Sequence, residues 1–125
     1  MSDADLPAGM RLITLPVHRD ARGTLVALDR DTLPFEPVRT FVISGVPPGA
    51  TRGGRAAACS EFLFAAAGSC RVTVSDAARR CSIVLDHAHG VLIAAGLTVE
   101  LGDFAPDAVV VVLAPKTFAE AGRRD

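Results

Sequence analysis

The chain has 125 residues, half of them hydrophobic, which suits one domain with one apolar core. Its formal net charge is −1 with acidic and basic residues interspersed, so it offers no continuous positive surface and nucleic acid is a poor partner. The N-terminus lacks a basic region followed by a long apolar run, and no later apolar stretch reaches about 18 residues. We therefore expect a cytoplasmic protein with no membrane association.

The first half of the chain alternates short extended segments with turns. The apolar, β-branched composition predicts strands at 12–17, 25–28 and 41–46. Asp20 and Gly23 favour a chain reversal over 18–24.

The second half continues in the same way. Gly68 and the alternation that follows it favour a hairpin between the segment starting at Glu61 and the strand around 71–74. Further strands are predicted at 81–85, 90–94, 98–101 and 108–114, the last of which is entirely apolar and should be the most buried. Only 117–124 looks helical. The pattern predicts an all-β, antiparallel β-sandwich or jelly roll, a single domain over 1–125 with its core at about 11–115 and a short C-terminal helix.

The three cysteines, Cys59, Cys70 and Cys81, form an odd set without close pairing. Buried, reduced thiols are the simplest interpretation. The alternative, a nucleophilic Cys59 beside Arg55, needs an activating base that the local sequence does not supply.

The segment 49–68 has the spacing of a cupin metal site but not its ligands. Two positions that a cupin fills with His are Arg55 and Ala57, Glu61 keeps its place, and the ligand position of a second downstream segment falls on Val99. A guanidinium has no lone pair to donate, and alanine has no polar group. We therefore predict no metal and no cofactor.

Four pieces of the chain together resemble the dTDP-4-keto-6-deoxyhexose 3,4-ketoisomerases, which are small metal-independent cupins. The pieces are 13–29, 34–49, 67–76 and 103–114. The resemblance implies a cupin-type β-sandwich and a homodimer, which an apolar N-terminal edge strand would favour.

The functional residues of that family match only in part. Arg52 and Gly53 match the start of the family's Arg-Gly-x-His-Ala-His segment, but no His occurs between Arg19 and Asp86, and the family's Trp position is Thr98. We predict catalytic roles for Arg55, which could clamp a carboxylate or enolate oxygen, and Glu61, which could move a proton. The predicted substrate-binding residues are Arg52, Ala57, Phe62, Phe64, Thr98 and Glu100.

Three hypotheses on function follow. The first is a metal-free enzyme that isomerises or cyclises a small oxygenated metabolite of sugar or natural-product biosynthesis in a pocket around Glu61. The second is an inactive relative that binds a ligand or supports an active paralogue, with Arg55 and Glu61 closed into a pair and little open volume. The third is a retained dTDP-sugar 3,4-ketoisomerase activity.

Overall fold

The computed structural model describes residues 6–121, which form eleven β-strands and one short helix. Turns rich in Gly, Pro and Asp separate the strands, as expected where the chain reverses repeatedly. The elements are β1 (Met10–Thr14), β2 (Val17–Asp20), β3 (Gly23–Val26), β4 (Arg39–Ser44), β5 (Arg52–Ala56), β6 (Glu61–Ala67), β7 (Cys70–Ser75), β8 (Arg80–Leu85), β9 (His89–Ile93), β10 (Thr98–Gly102), β11 (Val109–Ala114) and α1 (Phe118–Ala121).

The strands form two antiparallel sheets that pack on each other, with a separate hairpin. The five-stranded sheet has the order β1-β9-β6-β11-β4, the four-stranded sheet has the order β5-β10-β7-β8, and β2 pairs with β3. The predicted all-β antiparallel sandwich is confirmed. Within residues 6–121, no helix is long and apolar enough to cross a membrane.

Strand β11 lies in the interior of the five-stranded sheet, between β6 and β4. Val110 and Val112 face the inner core, and Leu113 belongs to a cluster on the opposite face. A strand buried on both faces needs no alternation of polar and apolar residues. The prediction of a deeply buried strand at 108–114 is therefore confirmed.

The five-stranded sheet is covered on both sides. Its inner face packs on the four-stranded sheet through residues such as Leu63, Val91 and Val110. Its outer face is covered by Leu15, by the hairpin and by the loop after it. These segments pack Leu15, Val17, Val26, Leu28, Leu33 and Phe35 around Phe62 and Leu113. As a result, the adjacent residues Phe62 and Leu63 on β6 are both fully buried although they point in opposite directions.

The chain reversal predicted at Asp20 and Gly23 is confirmed, but the turn is narrower than 18–24, because β2 and β3 pair up to these two residues. The Asp20 carboxylate accepts hydrogen bonds from the Arg22 backbone N–H (2.8 Å) and its guanidinium (2.6 Å), which stabilises a two-residue turn. Hydrogen bonding to Arg22 also lowers the pKa of Asp20.

The hairpin predicted around Gly68 is wrong. Strand β6 belongs to the five-stranded sheet and β7 to the four-stranded sheet, so the chain crosses between sheets at this glycine. Gly68 has φ 62°, and an added Cβ would lie 2.6 Å from Asp107 Oδ1. Gly68 is therefore required by a tight crossing against a distant loop rather than by a hairpin turn.

The predicted C-terminal helix begins as expected. Thr117 Oγ1 accepts the Glu120 backbone N–H at 3.1 Å, and Glu120 Oε1 accepts the Thr117 N–H at 2.8 Å, a reciprocal capping box. Helix α1 comprises Phe118–Ala121, and the part of the prediction beyond residue 121 lies outside the described residues.

All three cysteines are buried thiols. Burial raises the pKa of Cys70 to about 11. Thiols of this kind are poorly ionised at neutral pH, so the environment of Cys70 is that of a core residue rather than a nucleophile.

The contact between Gly90 and Phe62 provides a test of the packing on the outer face. A Cβ added to Gly90 would lie 2.2 Å from Cζ of Phe62, whose ring is fully enclosed. We expect Gly90→Ala to destabilise the protein by roughly 1–3 kcal/mol through overpacking, measured by urea denaturation. Gly102→Ala is the matched control, since its nearest neighbour is Thr51 Cγ2 at 3.5 Å. Equal effects of the two substitutions would contradict this packing.

Candidate functional site

A cavity of about 490 Å³ lies between the two sheets and opens beside β5, whose residues are all exposed. The five-stranded sheet contributes Phe41, Ile43, Leu63 and Val112 to its walls, and the four-stranded sheet contributes Val99 and Leu101. These side chains form an apolar floor. Such a combination of concave shape and apolar lining is typical of small-molecule sites.

The polar groups of the lining are few. Arg52, Arg55 and Thr51 lie on or next to β5, and Glu61 begins β6 in the facing sheet. Glu61 is half-buried and is the one carboxylate in the described lining. Neither Arg52 nor Arg55 has a guanidinium hydrogen bond or ion pair within residues 6–121. The cavity therefore combines positive charge on one side with a carboxylate on the other.

A β-bulge explains why both arginines line the cavity. Residues three apart on a regular strand point to opposite faces. In β5, however, Arg55 is opposite Val99 and Gly53 is opposite Glu100, so Gly54 is an extra residue in the ladder. Arg52 is then opposite Leu101. Because Val99 and Leu101 both line the cavity, their partners Arg55 and Arg52 share that face.

The two glycines make this bulge possible. Gly53 and Gly54 have φ of 85° and 91°, a region that other residues rarely adopt. At Gly53 the backbone also approaches β10 so closely that an added Cβ would lie 2.5 Å from the Val99 carbonyl oxygen. Beyond the bulge, β5 pairs with β10 again, and the following residue continues this pairing: the Ala57 N–H donates a hydrogen bond to the Leu97 carbonyl oxygen at 2.8 Å.

The structure brings together four of the predicted site residues. Arg52, Arg55, Ala57 and Glu61 all line the cavity. Four others do not, and they are Phe62, Phe64, Thr98 and Glu100.

The reason in each case is the alternation of side chains along a strand. On β6, Glu61 and Leu63 face the cavity, so Phe62 and Phe64 point to the outer face, where Phe64 lines a separate cavity with Thr24, Val26, Ala66 and His87. On β10, Val99 and Leu101 face the cavity, so Thr98 and Glu100 face away from it. The expectation that these four residues line the same pocket as Arg55 is therefore corrected.

Several lining residues were missed from the sequence. Leu63 and Leu101 could have been found, because side chains two residues apart on a strand share a face. They lie two residues after Glu61 and Val99, which the cupin-like spacing had identified as site positions. Phe41 and Ile43 carried no such signal, because their strand β4 lies two places away from β6 in the sheet, across β11.

Metal-binding side chains do not cluster in the described part of the chain. Within residues 6–121, no group of three or more His, Cys, Asp or Glu residues could hold a metal ion.

Two facing antiparallel sheets with an open cavity between them define a cupin-type β-sandwich protein. Residues 8–124 match the family model described as FdtA, WxcM-like, C-terminal. The chain belongs to this family, and its resemblance to the sugar 3,4-ketoisomerases is confirmed. None of the curated proteins matches it by sequence.

Solved structures agree with this assignment. A 3,4-ketoisomerase from Helicobacter canadensis is 28% identical, with a TM-score of 0.80 over 86% of this chain and 84% of that one. The WlaRB TDP-quinovose 3,4-ketoisomerase from Campylobacter jejuni is also 28% identical, with a TM-score of 0.81 over 89% and 88%. The 3,4-ketoisomerase QdtA from Thermoanaerobacterium thermosaccharolyticum, in complex with TDP, is 24% identical and shares the fold with a TM-score of 0.86 over 92% and 86%.

The bulge in β5 can be tested with a pair of substitutions. Ala at Gly53 or at Gly54 forces a positive φ on a residue with a Cβ, which costs roughly 1–2 kcal/mol. Only Gly53→Ala adds a collision with the Val99 carbonyl, whereas the nearest atom to a Cβ at Gly54 is Glu100 Oε2 at 4.0 Å. We expect the larger loss of thermal stability for Gly53→Ala, measured by calorimetry. A larger loss for Gly54→Ala would show that Gly54 is the more tightly packed position.

Proposed function

We propose that this protein is a metal-independent isomerase that transfers a proton within a small oxygenated keto metabolite of sugar or natural-product biosynthesis. The observation that carries this proposal is the open cavity of about 490 Å³, in which Glu61 and Arg55 share an apolar floor. An apolar floor lowers the polarity on one side of an enolate, which strengthens the electrostatic interactions that stabilise it.

Each residue has a role in the proposed reaction. The Glu61 carboxylate removes a proton from a hydroxyl-bearing carbon next to a ketone, and the electron pair of that C–H bond forms a C=C bond as the ketone oxygen becomes an enolate oxygen. Arg55 donates hydrogen bonds to this oxygen. Glu61 then returns the proton to the former carbonyl carbon, while the hydroxyl proton of the neighbouring carbon moves to the enolate oxygen. The carbonyl has then moved by one carbon, and neither an oxidant nor a reductant is consumed.

Both other hypotheses remain as outcomes of the test. A retained dTDP-sugar 3,4-ketoisomerase activity is supported by the relatives from Helicobacter canadensis and Campylobacter jejuni. The hypothesis of an inactive ligand-binding or partner subunit predicts a cavity with little open volume. The observed volume of about 490 Å³ argues against that prediction.

Solvent deuterium exchange tests the proposal directly. The protein is incubated in heavy water with TDP-4-keto-6-deoxyglucose, the sugar held by a QdtA variant, or with a branched keto acid, and proton loss is followed by NMR. We expect Glu61→Gln to slow the exchange about 100-fold or more, because a positioned base contributes about 10²- to 10⁴-fold. Glu36→Gln is the matched control, since the Glu36 side chain is 77% exposed and lies 3.9 Å from Arg30.

The possible results separate the hypotheses. Exchange that persists unchanged in Glu61→Gln would remove Glu61 as the base. Isomerisation of the TDP-sugar would establish the third hypothesis. An absence of exchange with every compound would favour the inactive partner subunit.

We also propose a cytoplasmic homodimer. Buried thiols support a reducing compartment, and β1 lies at the edge of the five-stranded sheet with β9 as its neighbour. Val42, on the opposite edge strand β4, is 57% exposed and adds apolar surface. Light scattering after size-exclusion chromatography should give twice the monomer mass of 13.0 kDa. A monomer mass would overturn the dimer, and a complex formed only with an active paralogue would favour the partner-subunit hypothesis.

A further inference from the structure

The cavity carries a more specific indication of what it binds. We infer that Arg52 and Arg55 together form a carboxylate-binding site, and that the ligand is a keto acid with an apolar body and no nucleotide. This inference rests on the proposed function in one respect only, namely that ligand and reaction share the same cavity.

The first argument is the placement of the two charges. The bulge at Gly54 brings both guanidinium groups to one face of an exposed edge strand, opposite Val99 and Leu101. A strand without the bulge would direct one of them away from the cavity. Each guanidinium is a planar set of donors suited to a carboxylate, and neither has a partner in the described part of the chain.

The second argument is the sign of the charge across the cavity. Glu61 begins β6 in the facing sheet. An anionic group on a ligand is therefore attracted to the arginines of β5 and repelled by the Glu61 carboxylate on β6. A monocarboxylate would therefore bind with its anionic group at the arginines. Its ketone and the adjacent carbon would then point toward Glu61, the side on which a base is required.

The third argument is the poor fit of a nucleotide. Bases are usually recognised by stacking on aromatic rings and by hydrogen bonds to their polar edges. The chain contains no Trp and no Tyr, and its sequence contains neither Asn nor Gln. Within the described lining, the only aromatic residue is Phe41, and Thr51 is the only neutral polar side chain. The aliphatic floor instead suits a keto acid with a branched aliphatic or aromatic side chain.

Titration calorimetry with matched ligands tests the inference. The probes are α-ketoisocaproate and its methyl ester, which share the ketone and the branched body but differ in the anionic group, together with phenylpyruvate and dTDP. We expect the two keto acids to bind, the ester to bind at least tenfold more weakly, dTDP not to bind, and added salt to weaken binding of the acids.

Variants identify the residues responsible. Arg52→Ala and Arg55→Ala should each weaken binding of α-ketoisocaproate by about tenfold to 100-fold, as expected for a lost charge-assisted hydrogen bond. Arg80→Ala is the matched control, because Arg80 is an exposed arginine on β8 at the far edge of the same sheet and outside the cavity lining. Both arginines are exposed, so these variants should fold, and a thermal melt verifies it.

The outcomes distinguish this inference from the proposed function. Equal binding of acid and ester, or unchanged binding in both cavity variants, would overturn the carboxylate site. Binding of dTDP with no binding of keto acids would overturn it as well. Glu61-dependent exchange on the methyl ester would still leave the proposed function intact, because the ester keeps the ketone without the carboxylate. Arginine-dependent binding of keto acids without any exchange would support the site and overturn the proposed function.

Discussion

Burial of the five-stranded sheet on both faces is the constraint on which the rest of the structure depends. Its inner face packs on the second sheet, and its outer face is covered by the hairpin of β2 and β3 and the loop that follows. Apolar residues are therefore needed on both sides of β6 and β11, and glycine is needed at position 90, where the ring of Phe62 crosses the neighbouring strand. The cavity forms at the side of this core where the facing strand, β5, has small residues between its two arginines.

Much of this architecture could be predicted because strands depend on local patterns. Runs of apolar residues between turn residues located most strands to within a few positions, and the unbroken apolar run of β11 indicated a deeply buried strand. The assignment of strands to sheets could not be predicted in the same way. The crossing at Gly68 depends on contacts with Asp107 and Ala108, which are close in space but far along the chain. A glycine at a hairpin and a glycine at a crossing look alike in sequence.

The site was predictable where spacing carried the information. The interval from Gly49 to Gly68 marked positions 55, 57 and 61, and all three lie at the cavity. The same reasoning failed for Phe62 and Phe64, because on a strand buried on both faces an apolar residue does not reveal which face it occupies. The bulge did leave a signal, since a Gly-Gly pair inside a strand is typical of an irregular ladder. That signal also explains why Arg52 and Arg55 occur together.

The bulge has a consequence for the behaviour of the protein in concentrated solution. Strand β5 is an outer strand of its sheet, and a regular outer strand offers a row of backbone donors and acceptors that another molecule could extend into a continuous sheet. Two left-handed glycines interrupt that row and two cationic side chains flank the interruption. The feature that shapes the cavity wall thereby also protects this edge from aggregation. Ordered self-association is therefore less favourable at β5 than at a regular outer strand such as β8, at the far edge of the same sheet.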